Sequence, residues 1–301
     1  MASRLSSAPH PVDQVPPIGK LTVLGIQHVL AFYAGAVVVP LVIASGLRLD
    51  NHTLVHLINA DLLTCGIATI IQSAGIGRFI GVKLPLIQGV TFTAVSPLIA
   101  IGAAATPPGA DPTTGLATMY GSIIAVGLIV FLVAPFFAKL LRFFPPIVTG
   151  TLLTVMGTTL LSVSAGDIVA WADRASDDAA KATATFEALA FAFGTIAIIV
   201  IIQRLFKGFM GTLSVLLALL IMTAVAFAMG KTDFSGVGEA TWLGITTPFY
   251  FGIPKFSLTA IFAMIIVMAV TAVETTGDVF ATGEVVGKRI TPRDIANALR
   301  A

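Results

Sequence analysis

Eight apolar segments, separated by short polar stretches, run through the sequence. A helix needs about 20 residues to cross the roughly 30 Å hydrocarbon core of a bilayer, and most of these segments reach that length. Their residues are apolar on all sides, whereas membrane strands alternate apolar and polar residues. The sequence therefore predicts an all-α polytopic membrane protein. The predicted spans are 23–47, 54–74, 84–105, 116–137, 147–163, 186–202, 213–229 and 258–280.

The composition excludes a water-soluble domain, and the sequence motifs give no support to an enzyme. Apolar residues make up 56% of the chain and charged residues 11%, whereas soluble domains carry about a quarter charged residues. One cysteine, Cys65, allows neither an internal disulfide nor a thiolate metal cluster. His52 and His56 precede Asp61, but no HExxH motif accompanies them, and no GxxxxGK[ST] phosphate loop occurs. We therefore expect no metal, no cofactor and no nucleotide-driven transport.

The distribution of basic residues predicts the topology. With residues 1–20 as a cytoplasmic tail and eight crossings, twelve of the 17 basic residues lie on the inside, as the positive-inside rule requires. The tail is polar, contains four prolines and lacks the apolar core of a signal peptide. Both termini are thus expected in the cytoplasm, in a multi-pass protein of the cell (inner) membrane. The five basic residues predicted outside are Arg48, Arg174, Lys181, Lys231 and Lys255.

The third segment has an unusual centre for a membrane span. Pro85 and Pro97 flank the polar run QGVTFT, and Gly89 favours non-helical backbone. One interpretation is extended chain over 86–89 followed by a short helix that starts near Thr91. Such irregular backbone survives at membrane depth where protein or a watery cavity satisfies its polar groups. The other interpretation is an ordinary proline-kinked helix.

The eighth segment places acids within an apolar run. Glu274 and Asp278 are four residues apart and share one helix face. An ionised carboxylate at mid-membrane costs several kcal/mol, so such residues usually mark a substrate or proton path. The alternative is that the acids lie at the cytoplasmic interface beside Lys288 and Arg289. That alternative fits Glu284 best and Glu274, the deepest acid, least.

Two further polar residues lie inside predicted spans. His28 follows Gln27 in the first span, and its expected role is to bond a neighbouring helix or to shape a site. Asp61 lies in the second span, and its predicted place nearer the outer end ranks it below Glu274 as a site residue.

Four runs carry a resemblance to the nucleobase–cation symporter family, also called the nucleobase–ascorbate transporters. They are GIQHVLAFYAGAVVVP, GVKLPLIQGVTFTAVSPLIA, ITTPFYFGIPKFSL and VETTGDVFATGEVVGKRITPRDIANALR. The QGVTF and ETTGD runs are most similar to the bacterial xanthine/urate (purine) permease branch. The runs occur in the family's order, and the resemblance covers nearly the whole chain from about Lys20 onward.

The resemblance implies a fold of fourteen segments built as two inverted repeats of seven. Segments one to four and eight to eleven form a core domain, and the others form a gate. In this chain, 21–141 would supply core segments one to four, 142–257 gate segments five to seven, and 258–301 core segment eight with a cytoplasmic loop. Segments three and ten each contain a short strand and a half-helix, between which the base binds.

The resemblance also implies roles for individual residues. Glu274 would hydrogen-bond the base, Phe92 would stack on it, and His28 would shape the site. Gln88 and Thr91, from the QGVTF run, would lie at the same site. Asp278 would join Glu274 in coupling transport to a cation.

The expected function is cation-coupled symport of a purine nucleobase such as xanthine or urate, driven by H⁺ or Na⁺. Expected partners are the small purine and the lipid bilayer, without nucleic acid; homodimers are common in related proteins. The second repeat has no candidate here, so we expect a C-terminally truncated form that does not transport unaided. Three alternatives stay open: an anion transporter of the sulfate or bicarbonate type, a membrane-embedded enzyme, and a non-transporting membrane subunit.

Overall fold

The computed structural model describes residues 11–140, 146–172, 178–232, 234–239, 244 and 246–301. Ten α-helices occur within these ranges: α1 Ile18–Leu47, α2 Asn51–Ala74, α3 Val95–Ala105, α4 Leu116–Leu140, α5 Pro146–Ala172, α6 Asp178–Leu205, α7 Phe209–Thr212, α8 Ser214–Ala228, α9 Leu258–Val286 and α10 Pro292–Ala298. Short 3-10 helices cover Pro11–Asp13, Phe92–Ala94, Pro112–Gly115 and Ser235–Glu239. Residues 1–10 of the predicted tail, the predicted boundary at 141 and 142, and Arg174 lie outside the described residues.

The predicted all-α fold of a multi-pass membrane protein is confirmed. Each of the eight predicted segments contains a helix. Among the helices that the structure describes, five are long and apolar enough to cross a membrane by length and composition: Ile18–Leu47, Asn51–Ala74, Pro112–Phe137, Ala180–Leu205 and Leu258–Val286. Two shorter apolar helices are Phe92–Ala105 and Ser214–Ala228. The count of eight crossings and the inverted repeat stay predictions.

The third segment is a broken helix, which is the first of the two interpretations that the proline and glycine positions left open. Residues 81–91 are non-helical, Thr91 has extended backbone (φ −103°, ψ 130°), and a half-helix runs from Phe92 to Ala105. The predicted short strand is wrong, because no strand occurs in the described part of the chain. A strand requires a partner with which to share a ladder of hydrogen bonds.

Side chains of α2 form hydrogen bonds with the backbone of this non-helical stretch. The Gln88 amide N–H donates to the Thr69 hydroxyl at 2.9 Å, and the Ser73 hydroxyl donates to the Leu86 carbonyl at 3.4 Å. These bonds satisfy polar backbone groups that would otherwise lie unpaired at membrane depth. The break in the helix is therefore anchored to its neighbour α2.

The chain divides into two compact units. The first comprises Met1–Ile26, Ala36–Gly150 and Thr246–Ala301, and the second comprises Gln27–Gly35 and Thr151–Ile245. The core of the first unit joins α1, the half-helix, α4 and α9. It contains Val39, Ile43, Leu47, Ala94, Val95, Leu98, Ile101, Leu116, Met119, Val126, Ala260, Met264 and Val267.

Two glycines bring α1 and the half-helix close together. A Cβ added to Gly46 would lie 2.6 Å from Ile99 Cδ1, and one added to Gly102 would lie 2.9 Å from Leu47 Cδ1. Each glycine thus accommodates a branched side chain of the opposite helix. Small residues at such contacts are the usual means of close helix packing in membranes.

In the second unit, α6 packs against α8. The Gln203 side-chain amide donates to the Ser214 hydroxyl at 3.0 Å. Lys231 and Glu187 form an ion pair of 2.8 Å at a partly exposed position, where such pairs contribute little to stability.

Helix α10 folds back onto the loop between α2 and the half-helix. Gln72, whose side chain is fully buried, accepts a hydrogen bond from the Val82 amide at 3.2 Å and donates one to the Ala298 carbonyl at 3.3 Å. The Gly81 amide donates to the Asn297 carbonyl at 2.9 Å. One glutamine side chain therefore links α2, the loop and the C-terminal helix.

Replacing Gln72 with leucine should release α10. Leucine keeps the side-chain volume but strands a buried amide and a buried carbonyl, each at a cost of about 1–3 kcal/mol. We expect a lower thermal unfolding midpoint in detergent and faster tryptic cleavage after Arg293. Ile70→Leu, which introduces the same side chain at an exposed position of the same helix, is the control and should change neither. Unchanged cleavage in Gln72→Leu would contradict this link.

Candidate functional site

The side chain of Glu274 is bound by the two threonines that begin the half-helix. The Thr91 hydroxyl donates to Glu274 Oε2 at 3.3 Å, and the Thr93 hydroxyl donates to Oε1 at 3.1 Å. Both threonines and the glutamate are half-buried. Residues about 180 positions apart in the sequence thus form one polar cluster inside the apolar first unit.

The local backbone explains this arrangement. Thr91 is the N-cap of the half-helix, and its hydroxyl also accepts a hydrogen bond from the Thr93 amide at 3.3 Å. The first turn of a helix carries unpaired N–H groups and a partial positive charge, which favour a nearby carboxylate. Glu274 lies just past the midpoint of α9, so the helix presents it far from both of its ends. The break in the third segment creates the helix terminus that this acid faces.

A cavity of about 450 Å³ adjoins this cluster. Its walls come from α1, α2, the broken segment, α4, α9 and the last residues of the chain. The lining is mainly apolar, and its polar side chains include Asp61, Thr64, Gln88, Thr91 and Tyr120. Ligand sites have volumes of roughly 300–1,000 Å³ and mostly apolar walls with a few polar groups. The cavity can therefore hold a small molecule that carries a few polar groups.

The structure brings together part of the predicted site. Gln88 and Thr91 line the cavity, and Thr91 binds Glu274. Phe92 is half-buried and packs against the core of the first unit. Asp278 lies one turn after Glu274 with an exposed side chain. His28 lies in the α1 portion of the second unit and is also exposed.

Several cavity residues received little or no weight from the sequence. Asp61, which the sequence ranked below Glu274 as a site residue, lines the cavity. Tyr120 of α4 lines it too. Thr271 and Thr275 of α9 line it as well. Thr271 and Thr275 are four residues apart on the helix that carries Glu274, and residues i and i+4 share a helix face. This spacing was the sequence signal that could have identified them as cavity residues.

The two histidines that suggested a weak metal site pack with aromatic rings instead. His52 and His56 have ring centroids 4.7 Å apart, and His56 stacks on Tyr250 at 3.9 Å. Within the described residues, no three His, Cys, Asp or Glu side chains are grouped as metal ligands. The pair belongs to an aromatic contact near the start of α2.

Comparison with known proteins supplies the family. The sequence model of the Permease family matches residues 19–301. The chain is 42% identical over 283 residues to a xanthine permease of Bacillus subtilis, covering 94% of this chain and 61% of that protein. It is 40% identical over 282 residues to uric acid permease PucK of the same organism, covering 94% and 62%. Uric acid transporter UacT of Escherichia coli is 38% identical over 289 residues, covering 96% and 57%.

The chain thus spans about 60% of the length of the curated relatives it matches. The match nevertheless runs through almost all of this chain, including the broken third segment and α9. The resemblance carried by the QGVTF and ETTGD runs is confirmed. This chain belongs to the Permease family, in its xanthine/urate branch.

Proposed function

We propose that this chain is part of a cation-coupled symporter that carries purine nucleobases such as xanthine or uric acid. The observation that carries the proposal is the Glu274 carboxylate, bound to Thr91 and Thr93 beside a largely apolar cavity of about 450 Å³. The names of its relatives, a xanthine permease and a uric acid permease, agree with that chemistry. The proposed protein is a transporter and not an enzyme.

A purine has the properties that this site would recognise. Its ring is flat with apolar faces, which suit the cavity walls, and its edge carries N–H donors. A carboxylate offers about four acceptor positions, of which the two threonine hydroxyls occupy two. Glu274 therefore retains acceptor capacity for ring N–H groups. Gln88 and Thr91 supply further polar groups, and Phe92, at the start of the half-helix, would supply the stacking surface.

Transport would proceed by alternating access, with the first unit acting as the core and the second as the gate. The composition of the two units supports this, since the first contains α2, the half-helix, α4 and α9, whereas the second contains α6 and α8. Glu274 and Asp278 would couple the movement to H⁺ or Na⁺. The excess of basic residues on one side supports a cytoplasmic N-terminus in the inner membrane. From the family resemblance, the proposal also includes an inverted repeat in the whole transporter and assembly as a homodimer.

The anion-transporter alternative conflicts with the position of Glu274. A sulfate or bicarbonate site at a half-helix would use the same N-terminal positive charge for the ligand. Here a carboxylate already binds the two threonines of the first turn. A second anion at that place would be repelled.

The direct test is ligand binding to the full chain in lipid nanodiscs. Radiolabelled xanthine and uric acid would be measured by scintillation proximity, with unlabelled purine or sulfate as competitor at constant ionic strength. We expect saturable binding that purine displaces and sulfate does not. A helical, monodisperse preparation that binds no purine, or from which sulfate displaces the label, would overturn the proposal.

A further inference from the structure

Asp61 has a buried carboxylate oxygen on the wall of the cavity. One face of α2 lines the cavity through Leu57, Ala60, Asp61 and Thr64, which follow the i, i+3, i+4, i+7 spacing of a helix. Oδ2 of Asp61 is buried and has no hydrogen-bond partner among the described residues. Oδ1 accepts a long hydrogen bond of 3.6 Å from the Cys65 thiol.

The polar groups near Asp61 do not donate a hydrogen bond to its Oδ2 atom. The Thr64 hydroxyl, one turn away, donates to the Ala60 and Asp61 carbonyl oxygens, each at 2.9 Å. Among the residues that the structure describes, no lysine, arginine or histidine forms an ion pair with Asp61. Thr91, the partner of Glu274, lines the same cavity from the broken segment.

A buried carboxylate oxygen without a donor is costly. Leaving such a group unpaired is unfavourable, and more so when it is charged. A polar group retained at that cost inside a ligand-sized cavity is positioned to bind whatever enters. Because a carboxylate only accepts hydrogen bonds, the matching group on the ligand is an N–H or O–H donor.

We propose that Asp61 is a second specificity-determining residue, whose Oδ2 accepts a hydrogen bond from a ring N–H of the purine. This rests on the proposed function. Glu274 and Asp61 belong to different helices, α9 and α2, and xanthine and uric acid carry N–H groups on more than one edge. Asp61 on the cavity wall, and Glu274 bound to the cavity-lining Thr91, would each accept a hydrogen bond from a different edge of one flat ring. A base that lacks the second N–H would leave Asp61 unpaired and would be disfavoured.

The first test compares xanthine affinity of the wild-type chain, Asp61→Asn and Asp111→Asn in lipid nanodiscs. Asp111 is an exposed N-cap outside the cavity and serves as the matched control. We expect the dissociation constant to rise roughly 10- to 100-fold in Asp61→Asn, the range for a lost hydrogen bond to a charged group. Asp111→Asn should bind as the wild type does. Asp61→Ser, which removes the carboxylate without adding an amide, should repeat the loss.

The second test uses methylxanthines that each replace one ring N–H. In the wild type, methylation at the position facing Asp61 should weaken binding strongly, whereas in Asp61→Asn the same methyl group should add little. Such non-additivity identifies a direct contact. A purely structural role for Asp61 would lower the affinity for every analogue by the same factor, and that result would overturn the proposal.

The outcomes separate this inference from the proposed function. If the wild type binds no purine, the proposed function fails. If the wild type binds xanthine and Asp61→Asn binds it equally well, Asp61 is not a ligand contact and this inference alone fails. A variant that keeps its purine affinity but changes only the pH dependence of binding would assign Asp61 to proton binding and would also overturn the inference.

Discussion

Glu274→Gln is expected to weaken purine binding by roughly 100-fold or more. The substitution removes the charge that strengthens each hydrogen bond to the carboxylate, and such bonds contribute about 1.5–3 kcal/mol each. It also places an amide N–H₂ where a second acceptor stood, so Thr91 and Thr93 can no longer each donate to a carboxylate oxygen. The first turn of the half-helix and the ligand would then both lose their shared acceptor.

The measurement is xanthine binding to the purified chain in nanodiscs. Glu284→Gln is the matched control, because it makes the same chemical change on the same helix at an exposed position near its C-terminal end. That variant should bind within about twofold of the wild type, since exposed substitutions of this kind rarely change the free energy by more than about 0.5 kcal/mol. Equal, mild effects of the two substitutions would remove Glu274 from the site.

Gly121→Val is expected to produce the largest loss of stability. Gly121 of α4 lies against the backbone of Lys255 in the stretch that leads into α9, and an added Cβ would lie 2.7 Å from the Lys255 carbonyl carbon. The Lys255 amide also donates to the Ala117 carbonyl at 2.9 Å, so this stretch is bound directly to α4. Backbone atoms cannot move aside as a flexible side chain can. Valine would therefore force α9 away from α4, at a cost of about 3 kcal/mol or more.

The test compares thermal unfolding and gel-filtration profiles in detergent. Gly127→Val on the same helix is the control, because a Cβ there meets no atom within 4 Å. We expect a lower unfolding midpoint and loss of xanthine binding in Gly121→Val, with little change in Gly127→Val. A Gly121 variant that unfolds at the wild-type temperature would show that α4 and the stretch before α9 are not in close contact.

Local sequence patterns predicted the helices, and they gave a break in the third segment as one of two interpretations. Proline at 85 removes an amide donor and glycine at 89 favours irregular backbone, and both effects act within a few residues. The predicted strand was wrong, because a strand depends on a distant partner, and side chains of α2 bind this stretch instead. The contacts between Glu274 and the two threonines were equally non-local, and the family resemblance implied only that Glu274 and Thr91 belong to one site.

Asp61 was ranked too low and helix α10 was missed, each for an identifiable reason. The second span was predicted to begin at residue 54, which placed Asp61 near its outer end; α2 begins at Asn51, so Asp61 is closer to its middle. Helix α10 was treated as a polar loop, although Thr291 and Asp294 form a capping box around Pro292. That motif is visible in the sequence and is a recognised signal for a helix start.

The two glycine contacts between α1 and the half-helix favour a binding site that is already ordered in the absence of ligand. Because Gly46 and Gly102 have no side chains, Ile99 and Leu47 pack directly onto the opposite helix, and we expect this close packing to restrict sliding and rotation of the half-helix against α1. This packing would also fix the positions of the two threonine hydroxyl groups that bind Glu274. A base would then enter a preorganised site, and less conformational entropy would be lost on binding than if the broken segment had to order around it.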